Sequence, residues 1–160
     1  MKTNIPLFIA DVHVGKLARL LRMLGFDTLY SNAFTNKELV DTALAQQRIL
    51  LSRNVAIGKH QPHLQTFIIT KYEPEAQLAD VLQHFHLLSN IQPFSRCMVC
   101  NGILVPVAKD VIIKELPEKT AMYYREFWQC TNCRRIYWKG PHYNRMMGFI
   151  QKIQVQAPEQ

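Results

Sequence analysis

Apolar and polar positions follow two different periods along the chain, and the switches between them mark out its elements. Ile5 to Ala10 is a short apolar run closed by Asp11, the pattern of a buried strand. From Val14 to Leu24 the period is that of a helix: Leu17, Leu20, Leu21 and Leu24 form one apolar stripe, and Gly25 supplies the stop. Asp27-Thr28-Leu29-Tyr30 reads as a second strand. Thr35-Asn36-Lys37-Glu38 fits a capping box, with Thr35 as N-cap and Glu38 three positions on, and Leu39, Val40, Ala43 and Leu44 give the helix behind it an apolar face. Ile49-Leu50-Leu51 and Thr66 to Thr70 predict a third and a fourth strand. Pro74 suits the first position of a helix running on to Phe85. Strands alternating with helices predict an α/β fold, a parallel sheet with helices on both faces.

After His86 the pattern changes. Ser89 to Ser95, with Asn90 and Pro93, reads as a linker, and beyond it lie short strand-like runs at Ile103 to Val107 and Val111 to Ile113. The expected division is an α/β domain over residues 1–90, a small β-rich domain over 91–150 and a frayed tail over 151–160.

Cysteine usage sharpens the second part. Cys97-Met98-Val99-Cys100 and Cys130-Thr131-Asn132-Cys133 are two C-x-x-C knuckles separated by 29 residues. Each knuckle turns tightly enough to aim two thiolates at one point, and two knuckles complete a tetrahedron, so the spacing predicts a structural zinc ribbon. All four cysteines of the chain are used, which leaves no open position for catalysis on the metal. A thiol redox pair and unliganded buried cysteines are the competing readings. Zinc would stabilise a unit too small to stand on its core alone.

Charge points to a partner. The chain carries a formal net charge of +7, which suits a polyanionic partner, with nucleic acid ahead of an anionic membrane; a protein that is merely basic is the competing reading. Lys16, Arg19 and Arg22 recur every third residue and predict a basic edge on the first helix. Around the second knuckle stand Phe127, Trp128, Arg134, Arg135, Tyr137, Trp138 and Lys139, a mixture suited to stacking on bases and pairing with phosphates. Here Trp128 is expected in the ribbon's core, with Arg134 and Arg135 exposed. No apolar run reaches the roughly 18 residues of a membrane span, and Leu7 to Ala10 is too short for the apolar core of a secretory signal. The expectation is cytoplasmic, with no membrane; the pattern names no protein partner and no oligomeric state.

In a parallel sheet, ligands bind where the carboxyl ends of the strands gather. Asp11 follows the first strand, Ser52-Arg53-Asn54 the third, and the helix from Thr35 brings Asn36, Glu38 and Asp41 towards the same edge. Carboxylates there could hold Mg²⁺ or Mn²⁺, which activates water for in-line phosphoryl displacement. Glu38 also has a purely structural explanation as the capping-box acid.

Asp11-Val12-His13-Val14-Gly15-Lys16-Leu17-Ala18-Arg19, Leu21-Arg22, Leu24-Gly25-Phe26-Asp27-Thr28, Glu38-Leu39 and Arg48-Ile49-Leu50-Leu51-Ser52-Arg53 stand in an order that resembles a known family. The likeness resumes at Arg96-Cys97, Cys100-Asn101-Gly102, Leu104, Phe127-Trp128, Cys130, Cys133, Tyr137-Trp138-Lys139-Gly140 and His142. The family is the PIN-like ribonucleases named after the C-terminal domain of the Mut-seven exonuclease. The resemblance implies a PIN-like domain followed by a zinc ribbon, acting on RNA with a divalent metal. It implies Asp11 as central metal ligand, helped by Glu38 and Asp41, with Lys16, Arg19, Arg22 and Arg53 guiding phosphates. The chain departs from the family pattern at two places. Ser52-Arg53-Asn54 stands where threonine-arginine-aspartate is usual, and Asn36 where an aspartate is usual. An amide offers a neutral oxygen in place of an anionic one, which weakens a hard-cation site. Two readings follow: a metal-dependent ribonuclease, weakened or inactive, or a non-catalytic RNA-binding zinc-ribbon protein.

Overall fold

The computed structural model describes residues 4–156; residues 1–3 and 157–160, the end of the expected tail among them, lie outside the described residues. Four short strands, β1 (Phe8–Ala10), β2 (Thr28–Tyr30), β3 (Ile49–Ser52) and β4 (Thr66–Ile68), form a parallel sheet in the order β2-β1-β3-β4. The register sets Phe8 beside Thr28 and Ile49, and Ser52 beside Ile68. Side chains leave a strand on alternate faces. Phe8, Ala10, Ile49 and Leu51 therefore enter one core, and Ile9 and Leu50 enter another on the opposite face.

Helices α1 (Gly15–Met23) and α3 (Pro74–His84) cover the first face, through Leu17, Leu21, Leu78, Val81 and Leu82. Each of these fully buried side chains contributes about 2 kcal/mol. Helix α2 (Asn36–Gln46) covers the second face with Leu39, Val40 and Ala43. It starts where the sequence predicts: the Thr35 side chain accepts from the Glu38 N–H, and Glu38 returns a carboxylate oxygen to the Thr35 N–H at 2.7 Å. Gly25 ends the α1 turn at φ +93°, a conformation that L side chains avoid. A Cβ there would also stand 2.4 Å from the Gln92 carbonyl oxygen. The segment expected to be a linker is thus tied down, since Gln92 N–H donates to Leu24 O at 2.8 Å.

The C-terminal part is a three-stranded antiparallel sheet, β5 (Leu104–Val107), β6 (Phe127–Cys130) and β7 (Ile136–Tyr137), in that order. Together the two sheets give an α/β unit followed by a small β-rich one that gathers the cysteines, as the sequence predicts. Val111 to Ile113 is not a strand. It lies in the long β5–β6 connection, where α4 (Lys109–Ile112) buries Ile112 and leaves Val111 and Ile113 exposed, and α5 (Glu118–Tyr123) follows. The expected tail also differs: residues up to Gln156 continue α6 (Pro141–Gln156). Met146, Ile150 and Ile153 pack at helical spacing against the core beneath α1 and α3.

Candidate active site and metal centre

Asp11 leaves β1 at the carboxyl edge of the sheet, where its own N–H donates to Leu51 O at 3.0 Å and the residue is only 3% exposed. Burial of a carboxylate demands donors, and the neighbouring strand supplies them. One carboxylate oxygen accepts from the Ser52 hydroxyl and from the Arg53 N–H at 3.2 Å; the other accepts the His13 N–H at 2.8 Å. The exposed His13 ring stands with Nδ1 3.5 Å from that second oxygen. Ser52 also links Asp11 to Asn54, whose N–H donates to the Ser52 hydroxyl at 2.9 Å. The Asn54 side-chain oxygen closes its own turn by accepting the Ala56 N–H at 3.0 Å. Gly15 opens α1 beside this edge because a Cβ would stand 2.6 Å from the Tyr30 hydroxyl.

The remaining members of the expected cluster lie on α2. Asn36 and Glu38 are exposed in its first turn, and the Glu38 carboxylate is held in the capping box, whose bonds from Thr35 keep its pKa below the usual range. Asp41, one turn further, pairs with Lys37 at the solvent surface. Among the described residues the four cysteines alone form a group of three or more thiolate, imidazole or carboxylate ligands within 4.8 Å of one another. Asp11, Glu38 and Asp41 therefore do not close on one point. A dedicated all-protein cage for Mg²⁺ or Mn²⁺ is not what these side chains build. Their donor set, one buried carboxylate at an open sheet edge, fits the alternative in which a hard cation keeps most of its waters and is shared with substrate phosphates.

The basic residues divide. Lys16 and Arg19 are exposed on α1, and Arg134 and Arg135 are exposed beyond the second knuckle, as expected. Arg53 is half-buried, donates to Lys71 O at 2.6 Å and stacks over the Tyr72 ring. Arg22 is a correction: it is buried at 5% exposure and faces protein rather than solvent. Residues advance about 100° each around a helix, so six positions place Arg22 about 120° away from Lys16. Its Nε donates to Thr28 O at 2.8 Å, and Nη1 donates to Met98 O at 3.3 Å and Val99 O at 3.0 Å.

The four-cysteine cluster is compact. Cys97 and Cys133 Sγ stand 3.7 Å apart, and Cys100 and Cys130 Sγ 3.4 Å apart. A tetrahedron with Zn–S bonds of about 2.3 Å has edges of about 3.8 Å, so the four sulfurs fit such an ion. Gly102 makes room for them: a Cβ there would meet Cys130 Sγ at 2.6 Å and Cys100 Sγ at 3.2 Å. The Tyr137 hydroxyl lies 3.0 Å from Cys97 Sγ, and burial and that contact push its pKa up. The thiols titrate apart. Burial raises the Cys100 thiol, but hydrogen bonds from Asn132 and the Gly102 N–H outweigh it and bring the group down to about 6. Burial and the neighbouring sulfurs push the Cys133 thiol up to about 12. Crowded thiolates of this kind need a cation to ionise together.

Aromatic packing completes the ribbon. Phe127 is the fully buried ring; Trp128, expected in the core, is half-buried, edge-on to Phe94 at 4.9 Å with the Lys139 ammonium over it. The sequence reading missed Ser52, Gln77 and Tyr72. The adjacency of Ser52 to the end of a buried strand is the available signal for the first; Gln77 acts by holding the Lys71–Tyr72 backbone, and no local pattern marks the exposed Tyr72.

The pattern that defines the Mut7-C RNAse domain matches residues 6–150 of the chain. No curated protein and no solved structure matches it. The match runs from the start of β1 through both knuckles and into α6, covering the Asp11 edge and the cysteine cluster alike, and the chain belongs to the Mut7-C RNAse domain family.

Proposed function

We propose that this protein is a weak ribonuclease that cuts RNA phosphodiester bonds at the carboxyl edge of its parallel sheet, with a structural zinc ion in the ribbon and a cytoplasmic location. The observation that carries the reading is Asp11, a buried carboxylate positioned by three donors at that edge in a chain of this family. Asp11 would hold Mg²⁺ or Mn²⁺ together with a substrate phosphate; when bound, such an ion supplies a nucleophilic water and neutralises developing charge. Glu38 stays with its helix cap and Asp41 with Lys37, so neither is counted as a ligand. Asn36 and Asn54 contribute neutral amides in place of acids, which is why the activity is expected to be weak. Ser52 and the Arg53 N–H fix the Asp11 carboxylate in one orientation. Lys16, Arg19 and Arg53 draw the RNA backbone to the edge, and Arg134 and Arg135 extend the basic surface on the ribbon.

A non-catalytic RNA-binding protein is the second reading. It is favoured by the commitment of Glu38 and Asn54 to local caps, which leaves Asp11 as the sole charged ligand at the edge. The deciding experiment is incubation of the pure protein with short labelled single-stranded RNA in Mn²⁺, and again in EDTA. Slow cleavage in Mn²⁺ that EDTA stops supports the ribonuclease. Salt-sensitive binding without any cleavage supports the binder, and neither binding nor cleavage removes both.

A further inference from the structure

Tyr72 stands four residues beyond β4, at the same carboxyl edge as Asp11, and is 83% exposed. An exposed tyrosine alone is ordinary. This one sits on backbone that is held from two sides. Gln77, a buried amide on α3, donates to Lys71 O at 3.0 Å and Tyr72 O at 3.4 Å, and Arg53 donates to Lys71 O at 2.6 Å. Burying an amide costs free energy unless it is bonded, so Gln77 fixes the loop. The Arg53 guanidinium carbon lies 4.7 Å from the centroid of the Tyr72 ring, covering one face and leaving the rest of the ring to solvent. The backbone N–H of Arg53 donates to the Asp11 carboxylate at 3.2 Å. The ring and the guanidinium thus lie next to the buried Asp11 carboxylate, joined to it through the Arg53 backbone, with Lys71 exposed beside the ring.

Resting on the reading that this edge acts on RNA, we infer that Tyr72 is the stacking platform for one base of a single-stranded RNA, with Arg53 beneath it taking the adjoining phosphate. Every base has a π-face, so the contact selects single strand over duplex without selecting sequence. The bases of a duplex are already stacked on one another, and their A-form grooves offer backbone and edges instead. Tyr72 is a positioning residue in this account: it sets which nucleotide lies at Asp11 and takes no part in bond cleavage.

The test uses the full-length zinc-loaded protein without added Mn²⁺ or Mg²⁺, so that no strand is cut and the ribbon keeps its metal, and a single-stranded RNA of roughly ten nucleotides carrying 2-aminopurine, whose fluorescence falls on stacking. The wild-type protein is expected to bind the strand and quench it. Tyr72→Ala should weaken single-strand affinity about 5- to 150-fold and lose the quenching, with blunt duplex affinity unchanged. Tyr72→Phe keeps the ring and should stay within about twofold of wild type. Equal affinity and quenching for wild type and Tyr72→Ala overturns the stacking role while leaving the RNA reading intact. Equal loss on single strand and duplex also overturns it, as a general effect on charge or folding. A wild-type protein that binds no RNA at low salt overturns the RNA reading and this inference with it.

Discussion

The Arg22 guanidinium donates to the Val99 carbonyl oxygen at 3.0 Å, so a side chain of the first helix closes on the backbone of the first cysteine knuckle. The same guanidinium holds Thr28 O, while Asn101, directly after Cys100, accepts the Thr28 N–H at 3.0 Å and donates to Asp27 at 2.8 Å. The helix that follows Asp11, the second strand and the cysteine cluster are therefore joined by polar bonds that are buried or partly buried. Removing one partner leaves the others desolvated and unpaired.

Arg22→Gln should lower stability by about 3 kcal/mol, because three carbonyl oxygens lose a charged donor in a buried setting. Lys16→Glu with Arg19→Glu should leave stability within about 0.5 kcal/mol, both sites being exposed. The same pair should weaken RNA binding across sequences and reduce the slope of log affinity against log salt by roughly 0.7 per lost phosphate contact. Denaturant unfolding and salt-titrated binding measure the two effects; the opposite allocation would reverse the roles given to Arg22 and the exposed pair.

Metal analysis should give about one zinc per chain, lost in Cys130→Ser. Because Arg22 and Asn101 join the knuckle to α1 and β2, chelation should raise amide exchange in residues 15–30 as well as in the ribbon. Protection that falls only between residues 97 and 137 would contradict that coupling, and a metal-free protein with unchanged stability in chelator would remove the zinc site.

Asp27 gives a pH dependence. Burial alone would raise its pKa, but hydrogen bonds from Arg48 and Asn101 and the nearby Arg96 hold it below the usual carboxylate value. A depressed folded pKa means the stabilisation is present above the unfolded value of about 4 and is lost as pH falls through the folded one. Asp27→Asn should flatten the stability curve between about pH 4 and the acid transition, as thermal unfolding across that range would record; an unchanged curve would show the pairs to be neutral.

Much of the fold was legible because local signals agreed with the tertiary result. The Thr35–Glu38 capping box, Pro74 at the start of α3, the stop at Gly25 and the buried strand before Asp11 all form as the sequence predicts. The failures share a cause: a short pattern is compatible with several environments. Three cations at every third position look like a stripe, yet helical drift carries Arg22 into the interface with the knuckle. Val111 to Ile113 has strand propensity but lies in the β5–β6 connection, where Ile112 alone is buried. Met146, Ile150 and Ile153 carry the helical period of α6, which runs across the expected boundary at residue 151, so that only Ile153 falls in the expected tail. At the site, the approach of Ser52 to Asp11 depends on strand pairing between residues 41 positions apart, which no local window contains.

Asn36→Asp with Asn54→Asp should raise Mn²⁺-dependent cleavage. The fold tolerates both changes: residue 36 opens α2, where a negative charge suits the helix dipole, and an aspartate at 54 keeps the oxygen that accepts the Ala56 N–H. The gain should be at least the roughly 10- to 100-fold that even outer-shell partners of a metal contribute. A variant that folds, binds RNA and cuts no faster would show that the edge lacks more than these two charges.

The central claim is that Asp11 is the reactive carboxylate of this edge, and Asp11→Asn tests it most directly. Asparagine nearly preserves the size of the side chain but offers one neutral acceptor oxygen where the Ser52 hydroxyl, the Arg53 N–H and the His13 N–H all donate. With single-stranded RNA in excess Mn²⁺, the wild-type protein is predicted to cut slowly and Asp11→Asn not at all, while RNA affinity measured on the zinc-loaded protein without added Mn²⁺ stays close to wild type. Cleavage by Asp11→Asn at the wild-type rate would place the chemistry elsewhere and contradict the account.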